Sequence, residues 1–413
     1  GNVYNEESYK ARKDAGYNIF YMGINIGAFI CNFFGAALYN MYGWYAAFWA
    51  AGIGMFIGVL VFVIGTKHYK HADQIKPVGE TDMPLLKIFG TILLPAIIFG
   101  LIPLTFDTPL VGSKSTDSFL FGCIPVVFFY VHLFRKSPAH EKPQIGAMLS
   151  IFAVVIAFWA IFKQNGSTMN TWAMNYTDRE VPALVQPITS NLRLSEEIHY
   201  VKDSVPYLDK QFRIIDKDQK VEAFPSYFIN QAAKELPKEG ATIKVFNTNL
   251  FQSVNPFWVI ALTPLVVAFF AFLNRKGKEP STPSKIAFGL LISALSCLVM
   301  VGAVYASNNG AEKSSAWWII SSYAVITIGE LFLSPMGLSL VSKLSPARLT
   351  SLMMGGWFLA TSIGNKLSGV LSSMWDGYEQ KANFFLVNFI LLGLAALLLF
   401  AMLRKLNKVF SQY

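Results

Sequence analysis

The residues of this chain that could do chemistry lie inside apolar runs. Glu330 sits in WWIISSYAVITIGELFLSPMGLSLVSK, about 21 Å from the start of that run at about 1.5 Å per helical residue. A short carboxylate cannot reach water from there, and a charge in a bilayer core costs about 2.5–3.5 kcal/mol on insertion scales. Two roles fit it: a partner on a neighbouring helix, or an ion or solute path. Ser334 lies one turn on, on the same face, and Pro335 frees a carbonyl and predicts a bend. Lys163 and Gln164 end the stretch FWAIFKQNGS; the lysine either snorkels to the surface or meets a charged solute. Asn18, Asn25 and Asn32 share one helical face beside a Gly23/Gly27 pair, which suits interhelical hydrogen bonding or solute contact. Asn255-Pro256 reads as an N-cap followed by proline at the first helical position, and Asn255 is also a candidate solute ligand. Trp357, about ten residues into a glycine-rich helix, marks either an interface or a cavity wall. Lys366, deeper along that helix, is expected to snorkel outward.

The elements that position these residues are membrane helices. The 413 residues are 54% hydrophobic and only 14% charged, with a mean hydropathy of +0.43; soluble domains are about a quarter charged. Runs of roughly 20 apolar residues recur at 16–38, 44–66, 86–106, 117–135, 145–172, 254–273, 285–306, 316–342, 348–374 and 382–404, predicting ten spans in an all-α polytopic membrane protein. The net charge of +9 falls between the runs. Threading the spans alternately puts Lys10, Arg12, Lys13, Lys67, Lys70, Lys76, Arg135, Lys136, Lys142, Arg275, Lys276, Lys278, Lys285, Lys343, Arg348, Arg404, Lys405 and Lys408 on one side, which the positive-inside rule makes cytoplasmic, with the C-terminus. The polar segment 175–252 then lies outside as a folded insertion. Alternation in QFRIID and ATIKVF within it predicts short strands.

Enzyme classes find no support here. The chain has no Ser/His/Asp grouping, no HExxH and no GxxxxGK[ST]. Cys31, Cys123 and Cys297 lie in apolar runs without CxxC spacing, and the five histidines form no metal-ligand cluster. The basic excess is not gathered on one face, as nucleic-acid binding would need. Isolated polar groups spread over many apolar helices suit a solute path better than a reaction centre.

Several of these stretches resemble a known family. YNIFYMGINIGAF (17–29), FWAIFKQNGST (158–168), FQSVNPFWVIALTPL (251–265), GELFLSPMGLSLVSKLSP (329–346) and MMGGWFL (353–359) resemble the fifth, seventh, eighth, tenth and eleventh helices of the proton-dependent oligopeptide transporters, within the major facilitator superfamily. The resemblance implies that fold: two helix bundles plus two extra helices. It places 1–70 as the remainder of the N-terminal bundle (family helices five and six) and 84–136 as the two extra linking helices. It makes 144–174 and 253–408 the C-terminal six-helix bundle, with 175–252 inserted between family helices seven and eight. The chain begins GNVYNEESYK, and the first four family helices are expected to be absent from it.

The resemblance also implies a function: a symporter of the cytoplasmic (inner) membrane that imports di- and tripeptides by alternating access. It would be driven by the proton gradient without a cofactor. The expected partners are the peptide, protons and the lipid bilayer, with the chain a monomer. Asn25 and Asn255 would contact the peptide, Glu330 would hold its amino terminus with Ser334 beside it, and Trp357 would wall the cavity. Gln164 would join the cavity lining. Lys163 departs from the pattern, because many members carry a carboxylate there that takes part in proton coupling. A lysine inverts that charge: it either binds the peptide carboxylate, pairs with an acid elsewhere, or alters coupling. Glu330 and Lys163 are thus the proton-coupling candidates. The competing readings are a same-fold carrier of another small solute and a peptide-sensing receptor that does not transport.

Overall fold

The computed structural model describes residues 13–70 and 85–410. The basic residues at 10, 12 and 76, and the side chains of Asn18 and Pro335, lie outside the described residues. Among the described residues, nine helices are long and apolar enough to cross a membrane. They include α1 (Lys13–Tyr42) and α2 (Trp44–Tyr69), separated by Gly43 alone, and α3 (Leu86–Thr105), α4 (Lys114–Lys136) and α5 (Lys142–Phe162). After α5 a 3₁₀ turn, Lys163–Gly166, leads into α6 (Thr168–Asn175). Beyond the short helix α7 (Gln186–Asn191) come α8 (Val254–Arg275), α9 (Thr282–Ala306), α10 (Ala316–Leu344), α11 (Thr350–Ser373) and α12 (Lys381–Phe410). The tenth expected span is α11. It forms a 24-residue helix but is not among the nine, because serines, threonines, Asn365 and Lys366 dilute its apolar run.

These runs become helices because a bilayer offers no water to backbone groups, so each segment must bond its own N–H and C=O groups. α2 is apolar all round and buries none of its residues against the described chain, the composition of a membrane span. α3 carries a π turn at Phe89–Leu93 and ends in a 3₁₀ turn at Ile102–Thr105.

The chain divides into two compact units. One takes in α1, α2, residues 170–265 and residues 303–324. Here the segment after α6 forms two antiparallel ladders, β1 (Ser195–His199) with β4 (Thr242–Phe246) and β2 (Asp203–Leu208) with β3 (Ile214–Ala223). β4 holds ATIKVF from Thr242 onward, whereas only the last three residues of QFRIID fall in β3 and the first three form the turn before it. Tyr200, Tyr227, Phe228 and Val245 form their small core. The segment is stitched to helix ends. Asn230 Nδ2 donates to the carbonyls of Asn175 and Gly310 at 3.1 and 3.2 Å, and Ser314 N donates to Tyr176 O at 2.7 Å. Asn40, near the end of α1, donates through Nδ2 to Arg193 O at 2.8 Å and accepts from Asn247 Nδ2 at 2.9 Å.

The other unit holds α3, α4, α5, residues 266–302 and residues 325–410. Its core runs along one face of α5, where Ile145, Met148, Ile151, Val155 and Phe158 are fully buried at spacings of three and four. They belong to one cluster with Met353, Trp357 and Ala360 of α11 and Leu392 and Leu399 of α12. Lipid tails are as apolar as these side chains, so close packing rather than water exclusion must hold the helices together. α9 and α10 show this best. A Cβ on Gly289 would lie 2.7 Å from Gly329 O, and one on Gly329 would lie 2.6 Å from Gly289 O and against the Ser293 hydroxyl. Only hydrogen fits on either side.

Outside the helices, Arg348 clasps Glu141 through both guanidinium arms, Nε to Oε1 at 3.0 Å and the second nitrogen to Oε2. This joins the α4–α5 loop to the α10–α11 loop. The Arg348 hydrogen bond holds the Glu141 carboxyl below its ordinary range, against the opposing pull of burial.

Two outcomes follow from these contacts. Gly329→Ala, or Gly289→Ala, is expected to cost about 1–3 kcal/mol as an overpacking change, read as a lowered Tm in detergent; an unchanged Tm would mean the helices can part freely. Because the folded pKa of Glu141 is depressed, its stabilising effect is complete above the unfolded value of about 4.3 and is lost as pH falls through the folded value. The stability gap between the native chain and Glu141→Gln, about 1–3 kcal/mol at pH 7 for charged hydrogen bonds, should therefore close below about pH 4.

Candidate functional site

α10 builds the centre of the candidate site. It spans 29 residues, and Glu330 is its midpoint, with fourteen residues on either side. The carboxylate is 7% exposed. Its position is set by the residue before it, since Gly329 brings α10 against α9 backbone to backbone. One turn on, the Ser334 hydroxyl is buried and has no hydrogen-bond partner among the described residues. A buried hydroxyl without a partner costs about 1–3 kcal/mol, so it marks a place where a further group would be welcome. The helix runs on through position 335 to Leu344.

Glu330, Ser334 and Gly337 follow at four and three residues, which is one helical face. Trp357 of α11 seats its six-membered ring on Gly337, where a Cβ would collide with it. The indole is 3% exposed and meets Phe152 edge to face at 6.0 Å. The structure thus brings Trp357 beside the stripe that carries Glu330 and Ser334, as a packed side chain between helices.

Lys163 and Gln164 occupy the 3₁₀ turn that interrupts a span running from Lys142 to Asn175. At 34 residues this span reaches about 50 Å, longer than the 40–45 Å of a whole bilayer. The break falls about 18 Å from its far end. The neighbours behave oppositely. Lys163 is exposed, makes no ion pair with a described residue, and lies over the rings of Trp159 and Phe162 at 5.6 and 5.8 Å. An aromatic face attracts a cation but does not neutralise it. Gln164 is 3% exposed and locked with Asn388 of α12. Gln164 Nε2 donates to Asn388 Oδ1 at 3.3 Å, and Asn388 Nδ2 donates back to Gln164 Oε1 at 3.1 Å. The Trp159 indole N–H, buried beside Lys163, has no hydrogen-bond partner. Asn388 and Trp159 went unread in the sequence: Asn388 lies 224 residues from its partner, and Trp159 resembles the apolar filler around it.

In the other unit Asn25 is 8% exposed and donates through Nδ2 to Tyr21 O at 2.9 Å; Asn32 does the same to Ala28 O at 3.1 Å. Both spend the donor within α1, one turn back. Asn255 is 9% exposed and is the second residue of α8, not its cap. The 3₁₀ turn Thr248–Ser253 feeds directly into α8, and the capping asparagine is Asn247, whose side chain accepts from Asn249 N at 2.9 Å. The capping account of Asn255 is thereby removed. Lys366, expected to snorkel, donates to Ser115 Oγ at 3.0 Å.

A second charged group lies outside the spans. The Tyr227 ring has Lys313 Nζ over it at 3.8 Å and Arg179 at 5.5 Å, and its hydroxyl donates to Asp178 at 3.1 Å. Burial, aided by the Arg179 charge, pushes the Lys313 ammonium down to about 7. Among the described residues no group of three or more His, Cys, Asp or Glu side chains could hold a metal ion.

Comparison with known proteins agrees with this architecture. Residues 1–187 and 221–386 match the POT family. The chain is 25% identical over 377 residues to the peptide transporter YePEPT of Yersinia enterocolitica, covering 87% of this chain and 61% of that protein. It is 24% identical over 367 residues to dipeptide and tripeptide permease A of Escherichia coli, covering 88% and 59%. The chain therefore spans about three fifths of the length of these relatives. A crystal structure of a POT family transporter in complex with a thioalcohol-conjugated peptide superposes with a TM-score of 0.67 at 20% identity, over 96% of this chain and 70% of that one. The transporter PepTSo superposes with a TM-score of 0.65 at 19% identity, over 98% and 74%.

The reciprocal amide pair supplies a test. Asn388→Leu alone should cost about 1–3 kcal/mol, because it strands both polar atoms of Gln164. Gln164→Leu combined with Asn388→Leu should recover most of that loss, and a double-mutant cycle of thermal unfolding measures the difference. Additive losses would mean that the two amides do not depend on each other.

Proposed function

Because this chain belongs to the POT family, we propose that it works in a proton-coupled symporter that imports di- and tripeptides by alternating access. The fold itself, a multi-pass α-helical membrane protein of the major facilitator superfamily, is the premise. The observation that carries the reading is Glu330: an acid at the midpoint of a membrane helix, beside a buried serine hydroxyl that has no hydrogen-bond partner. Intramembrane acids mark ion and substrate paths. A peptide zwitterion brings an ammonium that needs such an acid, a carboxylate that needs a cation, and amide groups that need neutral donors and acceptors.

Glu330 is assigned the peptide amino terminus, with Ser334 beside it. Lys163, exposed and without an ion pair, is assigned the carboxylate. Asn25 and Asn255 contact the peptide amide, Gln164 shapes the site through Asn388, and Trp357 backs the Glu330 stripe. A proton drives the cycle through Glu330, since protonation and an ammonium compete for one carboxylate; no cofactor is required. The domain assignment carries over from the family pattern: 1–70, 84–136, 144–174 with 253–408, and the insertion 175–252. The protein resides in the cytoplasmic membrane as a monomer, with its basic loops and C-terminus in the cytoplasm. Lys163 also favours a second reading, a peptide facilitator or receptor without proton coupling, because it places a cation where many family members carry a coupling acid.

The deciding experiment is uptake of labelled dialanine into proteoliposomes by the full-length protein, with and without an inward proton gradient. Gradient-driven accumulation is expected, reduced at least about tenfold in Glu330→Gln, as for the loss of one charged hydrogen bond. Normal uptake by Glu330→Gln would remove Glu330 from its role. Exchange that ignores the gradient would put the facilitator or receptor ahead.

A further inference from the structure

Leu184, Ile188 and Leu192 recur every fourth residue across α7 and the turns on either side of it, and are 89%, 60% and 56% exposed. The opposite side of the helix is anchored. Thr189 is buried, Lys244 Nζ donates to Ser190 Oγ at 2.9 Å, and Leu194 N donates to Thr189 O at 2.8 Å. Side chains at this spacing line one face, so the helix turns an apolar stripe outward and holds it there.

The level of that stripe is fixed by Asn40. Its amide binds the carbonyl of Arg193, the residue directly after Leu192. Asn40 is followed by Tyr42, Trp44 and Tyr45, which are 66%, 52% and 84% exposed. Exposed tyrosine and tryptophan at the junction of two membrane helices mark the headgroup level. Arg193 therefore sits at that level, and the six helical residues of α7 between it and Leu184 span about 9 Å. Arg193, exposed directly after Leu192, adds a positive charge at the end of the stripe, while Lys244 lies on the anchored side, on Ser190 and 3.6 Å from Glu197. An apolar face that ends in a cation and is tied at headgroup depth has the chemistry of an interfacial segment.

We propose that Leu184, Ile188 and Leu192 form a lipid-docking stripe that seats the 175–252 insertion on the headgroup layer of the bilayer, with Arg193 toward anionic headgroups. The stripe supports the insertion from the lipid side while Asn40 and Asn247 tie it to α1. The proposal depends on the chain spanning a membrane and not on what it carries.

The test is a nitroxide spin label at Ile188→Cys in the full chain, with the three native cysteines replaced by serine, in vesicles of phosphatidylcholine and phosphatidylglycerol. Power saturation should show greater contact with oxygen than with a water-soluble nickel chelate, the reverse of a label at Lys220→Cys on exposed strand β3. Equal nickel contact at both sites would overturn the proposal. So would spin–spin broadening at 188 that vanishes on dilution with unlabelled chain, since a second copy would then cover the stripe. If the serine background fails to fold, hydrogen exchange on the native-cysteine chain in nanodiscs decides. Amides 184–194 should exchange at least tenfold faster in the triple variant L184S/I188S/L192S than in the native chain, and equal rates would overturn the docking.

Discussion

A carboxylate held at the midpoint of a membrane helix is the constraint on which the surrounding packing depends. Water cannot solvate Glu330 there, and its side chain is too short to escape. The helix must therefore be held in one place by its neighbours. Gly329 and Gly289 do this by letting α9 and α10 meet backbone to backbone, and Gly337 by receiving the Trp357 ring. The glycines and the acid form one device: the first lower the distance between helices, and that fixed distance sets what the second can reach. Between apolar helices in lipid, the energy for this comes from packing and hydrogen bonds rather than from water release.

The other polar groups of the spans divide by how far their bonding is satisfied. Gln164 and Asn388 complete one another and act as a clasp between the end of α5 and α12. Lys366 is tied to Ser115, and Asn32 bonds back within its own helix. Lys163, Ser334 and Trp159 are different: a cation over two rings, a hydroxyl and an indole N–H, each without a side-chain hydrogen-bond partner among the described residues. Satisfied groups stabilise the fold, while unsatisfied ones raise its energy unless something else binds. That contrast separates clasp from site better than residue type does, since Gln164 and Lys163 are adjacent in sequence.

Much of this was legible in the sequence, for reasons that can be stated residue by residue. Apolar run length located the spans because the bilayer thickness is fixed, and Glu330 stood out because its cost is intrinsic. Long-range pairing was not legible. Nothing near Gln164 announces Asn388, and nothing near Lys366 announces Ser115. Asn255 misled because Asn-Pro is a local capping signal, whereas a 3₁₀ turn had already begun at Thr248. In the insertion, ATIKVF alternates cleanly and pairs as β4, while β1 and β2 gave no signal because SEEIH is half-buried without a clean alternation and DSVPYL is mostly solvent-facing. Register between such strands is set by partners, not by pattern.

The sign of residue 163 then decides what the site can hold. A site with one acid and one cation in separate helices complements a zwitterion without leaving net charge in the membrane. Removing either group would leave the other half of the ligand uncompensated in a low-dielectric setting, where the penalty exceeds the gain of a single contact. Two acids would favour a cation or a bound proton, and two bases an anion. Lys163 lies over Trp159 and Phe162, which favour a cation without cancelling it, so its charge stays available to an incoming carboxylate. In the proposed assignment, the inversion at 163 would leave recognition of a zwitterion intact and put the proton chemistry of the described spans on Glu330.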